Sequence, residues 1–469
     1  MRRASPVSRP VALTVAGSDS GGGAGVQADL QTFAAHDAYG TSAMTAVTAQ
    51  HTRGVDSTHV LPPAAVGAQV DAVTDDFAVR AVKTGMLATA DVVDVVRDRL
   101  AAVDAPIVVD PVMVATSGDR LLDRDAETAY EALLAEATVA TPNTDEAEVL
   151  TGESVDSVAD ARDAALAIRD VGVDAALVTG GHLEPTAETG KDAVTDVLAT
   201  TDGVETFSHP RVADAATHGS GCTLSAAIAA NLAGSDSRGS LEAAESTDAV
   251  VDAVDAATAF LERAVRYHYD VGEGAGAVNH LVDQRSNAAT PAIARDVERL
   301  VAALENATEP VAALVPEVGT NVVGATPTAD RVADTVAVDG RLATTHAGVR
   351  ATGGVRPGAS SHVARFLLAA REHHPELRYA ANCRYDDDVA DALDALDWAV
   401  SAYDRADEPA DAQGTMDWGA DQAYRTSDDR PVAVVDRGAH GKEPMTKLAT
   451  ETPDALRERL LALAREIET

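Results

Sequence analysis

Over the first 285 residues, short apolar runs rich in β-branched residues alternate with longer Ala-rich stretches. The runs at 11–16, 78–83, 107–110, 139–141, 175–179 and 194–198 predict strands buried on both faces, because apolar residues continue without a polar alternation. The stretches at 25–36, 63–75, 89–103, 124–136, 144–151, 158–171 and 221–233 predict helices between them, followed by a long helix over 247–269. Strand–helix alternation at this spacing is α/β, a mostly parallel sheet flanked by helices. A Gly/Ala-rich break at 272–277 and a polar stretch ending at Pro291 then interrupt the pattern. They divide the chain into a domain over 1–285, a linker over 286–291 and a second, smaller mixed α/β domain over 292–469. In that second domain helices are predicted at 292–305, 361–373, 388–396 and 453–467. Extended segments are predicted at 311–316, 335–338, 377–382 and 432–436.

Composition sharpens this picture. Hydrophobic residues make up 46% but aromatics only 3%, so Ala, Val and Leu must fill the cores. The formal net charge is −38, with 44 acids against 18 bases up to residue 285 and 31 against 19 beyond it. An excess spread over both domains repels phosphate backbones, so nucleic-acid partners and anionic membranes are not expected. Lys83, Lys191, Lys442 and Lys447 are the only lysines. Acid excess with so little lysine resembles the composition of extreme halophiles' proteins, where molar salt shortens the Debye length to about 3 Å; the alternative is an ordinary acidic protein, which leaves the lysine depletion unexplained. Cys222 and Cys383 are too few and too far apart for a disulfide framework or a Cys-based zinc cluster. No segment has the length and apolarity of a membrane span or signal core, which predicts a soluble, cytoplasmic protein.

Four clusters in the first domain carry candidate chemistry. Residues 16–25, AGSDSGGGAG, follow the first strand. Glycines there let backbone approach a ligand, although a plain strand–helix turn would read the same. It is neither a phosphate-binding loop with Gly-Lys-Ser/Thr nor a Gly-x-Gly-x-x-Gly fingerprint. Asp110 stands at the carboxyl end of an apolar strand, where ligands of α/β sheets gather. Asn143 and Glu146 lie one helical turn apart after another strand. They suit a water-rich Mg²⁺ site or, equally, a capped helix start. Residues 217–223, THGSGCT, open an apolar helix. Gly219, Ser220 and Gly221 can form a pocket for a transferring phosphoryl group, and Cys222 in the first turn is expected to have a lowered thiol pKa.

In this order and spacing the clusters, with TAVTAQHTRGV, VKTGML, VVDPVM and TPNTDEAEVL, resemble the ribokinase-like superfamily. Within it they resemble the hydroxymethylpyrimidine/phosphomethylpyrimidine kinases of thiamine biosynthesis over almost all of residues 11–282. The resemblance implies ATP and Mg²⁺ as cofactors, two successive phosphorylations of a hydroxymethylpyrimidine, and a homodimer. It assigns the pyrimidine to Gln50, to backbone near Gly17, to Asp29, Met86 and Val112. It assigns Mg²⁺ and the ATP phosphates to Asp110, Asn143 and Glu146, with Thr179 and Gly181 beside the nucleotide. Gly219, Ser220 and Gly221 become the anion hole, and Cys222 sits near the substrate hydroxyl as base or positioning group. Thr179 stands where relatives often have Lys, so one phosphate contact is lost or supplied elsewhere. A pyridoxal kinase shares much of this site.

In the second domain, bases beside Gly turns suggest an anion site: Arg341 in Asp-Gly-Arg, His362 with Arg365 a turn on, and Arg437 and Lys442 in DRGAHGKEP. On the residues alone His362 reads as a structural histidine, and Asp386–Asp388 as a helix cap rather than metal ligands. The stretches GRLAT, GASSHVARFLLAA, NCRYDDD, DRADEP, MDWG and DRGAHGKEPM nevertheless resemble the archaeal-type thiamine-phosphate synthase domain over 292–469. That resemblance implies condensation of the pyrimidine diphosphate with thiazole phosphate, releasing diphosphate. Arg341 and His362 are its catalytic candidates, and Arg437 and Lys442 further phosphate contacts. The alternative is a working kinase followed by a non-catalytic, ligand-sensing domain.

Overall fold

In the first strand, β1 (Val11–Ala16), Leu13 and Val15 enter the core on one side of a sheet and Ala12 the core on the other. The computed structural model describes residues 7–113, 127–181, 183, 193–212, 217–234, 246–308, 310–409, 414–426, 430–439 and 441–467. The chain forms two compact units, Met1–Val282 and Asp283–Thr469.

After β1 the first unit runs α1 (Gly25–Ala35), β2 (Tyr39–Met44), a hairpin β3 (Ala46–His51) and β4 (Gly54–Val60), α2 (Pro63–Thr74), β5 (Val79–Thr84) and α3 (Ala90–Leu100). It continues with β6 (Ile107–Val109), α4 (Glu127–Leu134), β7 (Val139–Ala140), α5 (Thr144–Thr151), α6 (Val158–Asp170), β8 (Ala175–Val178), β9 (Ala193–Ala199) and β10 (Val204–Pro210). Helices α7 (Ser220–Gly234) and α8 (Thr247–Arg266) complete it. The eight-stranded sheet has the order β10-β9-β8-β7-β6-β5-β1-β2. It is parallel from β2 to β8 and antiparallel at β9 and β10. Parallel strands bring the turns after β1, β5, β6, β7 and β8 to one edge. Alternation seals both faces: Val109, Ala176 and Val178 pack with α2, α3 and α6, while Val108, Ala175 and Leu177 pack with α7 and α8. Helix α7 is nearly all Ala, Leu and Ile on its buried positions, so its backbone lies close to the sheet without aromatic filler.

The second unit opens with α9 (Val282–Glu305), followed by β11 (Val322–Ala325), β12 (Thr335–Val338), β13 (Leu342–Thr345), β14 (Gly348–Ala351), β15 (Val355–Pro357) and α10 (His362–His373). Then come β16 (Tyr379–Arg384), α11 (Asp387–Ala395), β17 (Val400–Tyr403), α12 (Thr415–Arg425), β18 (Ala433–Asp436), β19 (Met445–Thr450) and α13 (Pro453–Ile467). Seven strands pair as β15-β12-β11-β16-β19-β18-β17, antiparallel except for β17–β18. Val322, Ala381 and Leu448 face α9, α11 and α13. Val323, Ala380 and Val434 face α10 and α12.

Two expectations are corrected. Residues 286–291 are not a linker but part of α9, which carries Pro291 inside it. Ser286 is buried against Thr326 at 2.8 Å, and Ile293, Val297 and Leu300 continue the helix's apolar stripe into the core. The segment at 311–316 is not extended but contains a 3₁₀ turn at Val311–Leu314. Among the described residues, no helix is long and apolar enough to cross a membrane.

Candidate active sites

The turns at the carboxyl edge of the first sheet surround a cavity of about 600 Å³. The turn after β1 supplies Gly17, β5 leads to Met86, and β6 ends in Asp110 and Val112. The turns after β7 and β8 supply Asn143, Glu146, Thr179 and Gly181. The hairpin strand β3 contributes Gln50, and the start of α7 brings Gly219, Ser220, Gly221 and Cys222 to the same space. A Cβ on Gly17 would lie 2.3 Å from Met86 Cε, so the glycine leaves room for the methionine at the wall.

Asp29 is not part of that wall. It is fully buried, and its carboxylate accepts from Thr14 Oγ1 at 2.6 Å and from Lys83 Nζ at 2.9 and 3.1 Å. Lys83, at the cavity floor and itself 0% exposed, also lies 3.7 Å from Asp110 Oδ2. Burial works against its charge, but Asp29 and Asp110 outweigh this and keep the ammonium protonated. Sequence reading missed Lys83. Its one signal was a lysine within an otherwise apolar strand of a nearly lysine-free chain.

The start of α5 is a closed capping box. Asn143 Oδ1 accepts from Glu146 N at 2.9 Å, and Glu146 Oε2 accepts from Asn143 N at 3.0 Å. The Asn143 oxygen is thus engaged by the helix through one of its two lone pairs, while the residue still lines the cavity. Burial raises both Asp110 and Glu146, and the charge of Asp110 helps push Glu146 up to about 8. Two buried carboxylates that resist ionising together over one cavity fit a hard divalent cation held largely through water.

The start of α7 is set by Gly219, with φ +82° and no room for a Cβ, which would lie 1.7 Å from Gly23 O. Ser220 N donates to Thr217 O at 3.0 Å and is spent on that turn, a correction to the expected anion hole. The first acceptor inside the helix, Gly219 O, takes Thr223 N at 2.9 Å. Among the described residues, the N–H groups of Gly221 and Cys222 have no acceptor. The Gly-rich loop is tied to this helix start by Asp19. Its carboxylate accepts from the backbone of Gly21, Gly23 and Ala24 and pairs with His218 Nε2 at 3.1 Å. Burial pushes the Asp19 carboxylate up, but these bonds outweigh it and hold the group below its usual range. Cys222 overturns another expectation. Burial, with Asp110 and Asp29 nearby, pushes its thiol up to about 12 despite Lys83, so the helix start does not make it a thiolate.

The second unit has its own cluster of charges. Arg341 follows Gly340 and is fixed through its backbone: Arg341 N donates to Thr352 Oγ1 at 2.9 Å, and Thr352 N to Arg341 O at 2.8 Å. Two buried asparagines brace the same turn. Asn321 Nδ2 donates to Gly340 O, Asn382 Nδ2 to Gly319 O, and Gly319 lies directly beneath the Arg341 side chain. Asp339 is engaged with Arg356 at 3.0 Å. Among the described residues, no carboxylate lies within ion-pair reach of Arg341 or Arg365. His362, at the start of α10, is pushed below its usual range by burial and by four cations: Arg341, Arg365, Arg405 and Lys447. Two of these cations share a carboxylate: Asp436 accepts from Arg405 Nη2 at 2.6 Å, from Lys447 Nζ at 3.1 Å and from Tyr403 OH at 2.9 Å. Burial brings Lys447 down to about 8. Trp418 packs edge-on against Tyr403 at 5.8 Å.

Arg341 is thus one of the charges acting on His362. Arg437 and Lys442 sit exposed on the turn after β18 and are not among the principal charges acting on His362. Arg405 and Lys447 were missed, because neither stands in a Gly-rich motif. Asp386 caps α11 by accepting from Val389 N at 3.1 Å. Among the described residues, no group of three or more His, Cys, Asp or Glu side chains could hold a metal. Cys383 is buried, with its thiol pushed up to about 12. His182 and His440 lie outside the described residues.

The phosphomethylpyrimidine kinase family matches residues 19–279. The chain belongs to this family. The thiamine-phosphate synthase ThiN family matches residues 296–462. The chain is similar to the hydroxymethylpyrimidine/phosphomethylpyrimidine kinase of Streptomyces coelicolor, 48% identical over 59% of this chain and 96% of that one. It is also similar to the thiamine biosynthesis bifunctional protein ThiED of Geobacter sulfurreducens, 41% identical over 60% of this chain and 54% of that one. Among solved structures, an ADP complex of Bacillus subtilis pyridoxal kinase superposes with a TM-score of 0.51 at 32% identity, covering 58% of this chain and 98% of that one. This phosphomethylpyrimidine kinase family member has the ribokinase-like α/β fold in its first unit. It joins a kinase of hydroxymethylpyrimidine and its phosphate to a thiamine-phosphate synthase, two activities of thiamine biosynthesis.

Proposed function

We propose that the first unit's cavity transfers phosphoryl groups from ATP, first to the hydroxymethyl oxygen of 4-amino-5-hydroxymethyl-2-methylpyrimidine and then to the phosphate so formed. The observation that carries this reading is one shared cavity. The start of α7 and the Asp110–Glu146 pair face the same space as Gln50 and Met86. Gln50 hydrogen-bonds the pyrimidine, Met86 packs on its ring, and Gly17 and Val112 shape the wall. The free N–H groups of Gly221 and Cys222 receive charge developing on the transferred group. Lys83 acts from the floor, and Asp29 acts through Lys83. Asp110 and Glu146 would hold a Mg²⁺, which would supply further charge neutralisation on the phosphates.

The raised Cys222 thiol supports a positioning role over that of a base. Cys222→Ala is expected to lower kcat by about tenfold or less, whereas loss of a general base costs about 10²–10⁴-fold. Steady-state kinetics with the pyrimidine decides between them.

The raised Glu146 sets a pH dependence. A carboxyl that binds its proton more tightly folded than unfolded favours the folded state at low pH. That contribution is lost as pH rises from its unfolded value towards about 8. A divalent cation offsets the loss, so the gain in Tm from Mg²⁺ is expected to be larger at pH 8.5 than at pH 6, and Glu146→Gln is expected to flatten the difference. Paired thermal melts measure this.

In the second unit, Arg341 and His362 hold and protonate the departing diphosphate while the thiazole nitrogen bonds to the pyrimidine methylene carbon. The convergence of four cations on His362, in a chain of charge −38, supports an anion there. Arg437 and Lys442 are outlying phosphate contacts. Acid excess and scarce lysine support work in the cytoplasm of a salt-loaded cell, and the family resemblance is what implies a homodimer. Sedimentation in molar KCl tests both the assembly and its salt requirement.

A single assay in molar KCl tests the whole reading, with hydroxymethylpyrimidine, thiazole phosphate, ATP and Mg²⁺ present. Thiamine phosphate, detected by mass, is the expected product. Pyrimidine diphosphate accumulating without it would make the second unit a sensor. The likeness to pyridoxal kinase supports pyridoxal as a competing substrate, and relative turnover ranks the two.

A further inference from the structure

The first unit's cavity is acidic. Asp110, Asp145, Glu146, Asp196 and Glu262 all line it, yet the ligand it is proposed to take is a nucleotide polyphosphate. Among the described residues, the Lys and Arg side chains that line it are Lys83 and Arg211. Lys83 is sealed in the floor and shared between Asp29 and Asp110. A divalent cation would offset Asp110 and Glu146, Glu262 is paired with Arg266 at 2.6 Å, and Asp196 lies 3.7 Å from His209 Nε2, so a further cation is left to meet the phosphates themselves.

Arg211 is held by backbone carbonyls and lines the cavity. It directly follows β10, the antiparallel edge strand. Its Nη1 donates to Gly181 O at 3.0 Å and its Nη2 to Leu183 O at 2.8 Å. These bonds fix the plane of the guanidinium without cancelling its charge. Among the described residues, no carboxylate lies within ion-pair reach of it. Two of its five N–H donors are used on carbonyls, and each Nη keeps a second hydrogen. The turn it holds, after β8, is the one that presents Thr179 and Gly181 to the cavity. Val194, Leu261 and Val265 form an apolar patch of the same lining, suited to a purine.

We propose that Arg211 is the phosphate-binding cation of the nucleotide half of this cavity, oriented by the carbonyls of Gly181 and Leu183 to contact an ADP or ATP phosphate. The assignment rests on the kinase reading and adds to it a residue that no motif identified. A fixed guanidinium is suited to this task, because a planar fork matches phosphate oxygens and cannot lose its proton.

The test compares ADP with adenosine on the full chain at constant ionic strength. Arg211→Met is expected to weaken ADP by about 10- to 100-fold, the range for a lost charge-assisted contact, while adenosine binding stays within twofold. KM for ATP is expected to rise with KM for the pyrimidine unchanged. Arg211→Lys keeps the charge but loses the fork and is expected to fall between. Should Arg211→Met fail to fold, Arg211→Lys is read against the same two ligands. Equal losses of ADP and adenosine would reduce Arg211 to a strut for the turn after β8 and overturn the proposal, as would unchanged ADP affinity. A wild-type chain that binds no ADP would overturn the kinase reading itself, a separate failure visible before any variant is made.

Discussion

Lys83→Met is expected to remove about 3–5 kcal/mol from the stability of the first unit and to reduce kinase turnover at least 100-fold, while the second unit condenses its substrates at the parent rate. The size of the effect follows from what the ammonium leaves behind. Asp29 is fully buried and keeps one neutral partner, the Thr14 hydroxyl. Asp110 keeps Ser225 Oγ, at 3.2 Å. Methionine fills the same space, so the loss is one of charge rather than volume. At about 2–4 °C per kcal/mol for a unit of this size, the first transition should move down by roughly 10 °C. The second compact unit provides the internal control. Adding Asp29→Asn to Lys83→Met removes one orphaned charge and should restore part of the stability. A double-mutant cycle by chemical denaturation measures that coupling. A coupling near zero would mean that the Lys83–Asp29 pair contributes nothing to the fold.

Arg341→Met and His362→Gln should each reduce condensation by about 10²–10⁴-fold and leave kinase kinetics within twofold. Arg341 stands on a turn braced by Asn321 and Thr352, so its removal takes away a donor without loosening the backbone. The cations around His362 disfavour its imidazolium. A bound diphosphate would offset that penalty, which is the basis of the proton donation proposed for His362. Rates with preformed pyrimidine diphosphate and thiazole phosphate isolate this step from the kinase. Loss of both activities in either variant would point to misfolding, and unchanged condensation would remove the two residues from the site.

What could be read from the sequence follows from how each residue is surrounded. The central strands of the first sheet, such as Ile107–Val109 and Ala175–Val178, are buried on both faces and announce themselves as unbroken apolar runs. The edge strand β2 and the hairpin β3–β4 are half-polar and half-exposed, so no period-2 pattern marked them. Strand β19 was hidden by Lys447, whose charge is tolerated only because Asp436 lies on the neighbouring strand β18. The linker was misplaced because Pro291 usually stops a helix, whereas α9 carries it between two stretches that both pack. Asp110, Glu146 and the start of α7 were legible because they sit in turns with special residue types. Lys83 and Arg405 find their acidic partners far away along the chain, and no local pattern encodes such a meeting.

The edge-on contact of Trp418 with Tyr403 has an optical consequence. The chain's two tryptophans, Trp398 and Trp418, both lie in the second unit. Excited selectively, their emission reports the synthase alone and leaves the kinase dark. Because Tyr403 also donates to Asp436, the partner of Arg405 and Lys447, an anion settling on those cations is expected to alter the field around the Trp418 indole. One polypeptide thus carries a built-in fluorophore for half of its chemistry, and titrations of either active site can be told apart without a label.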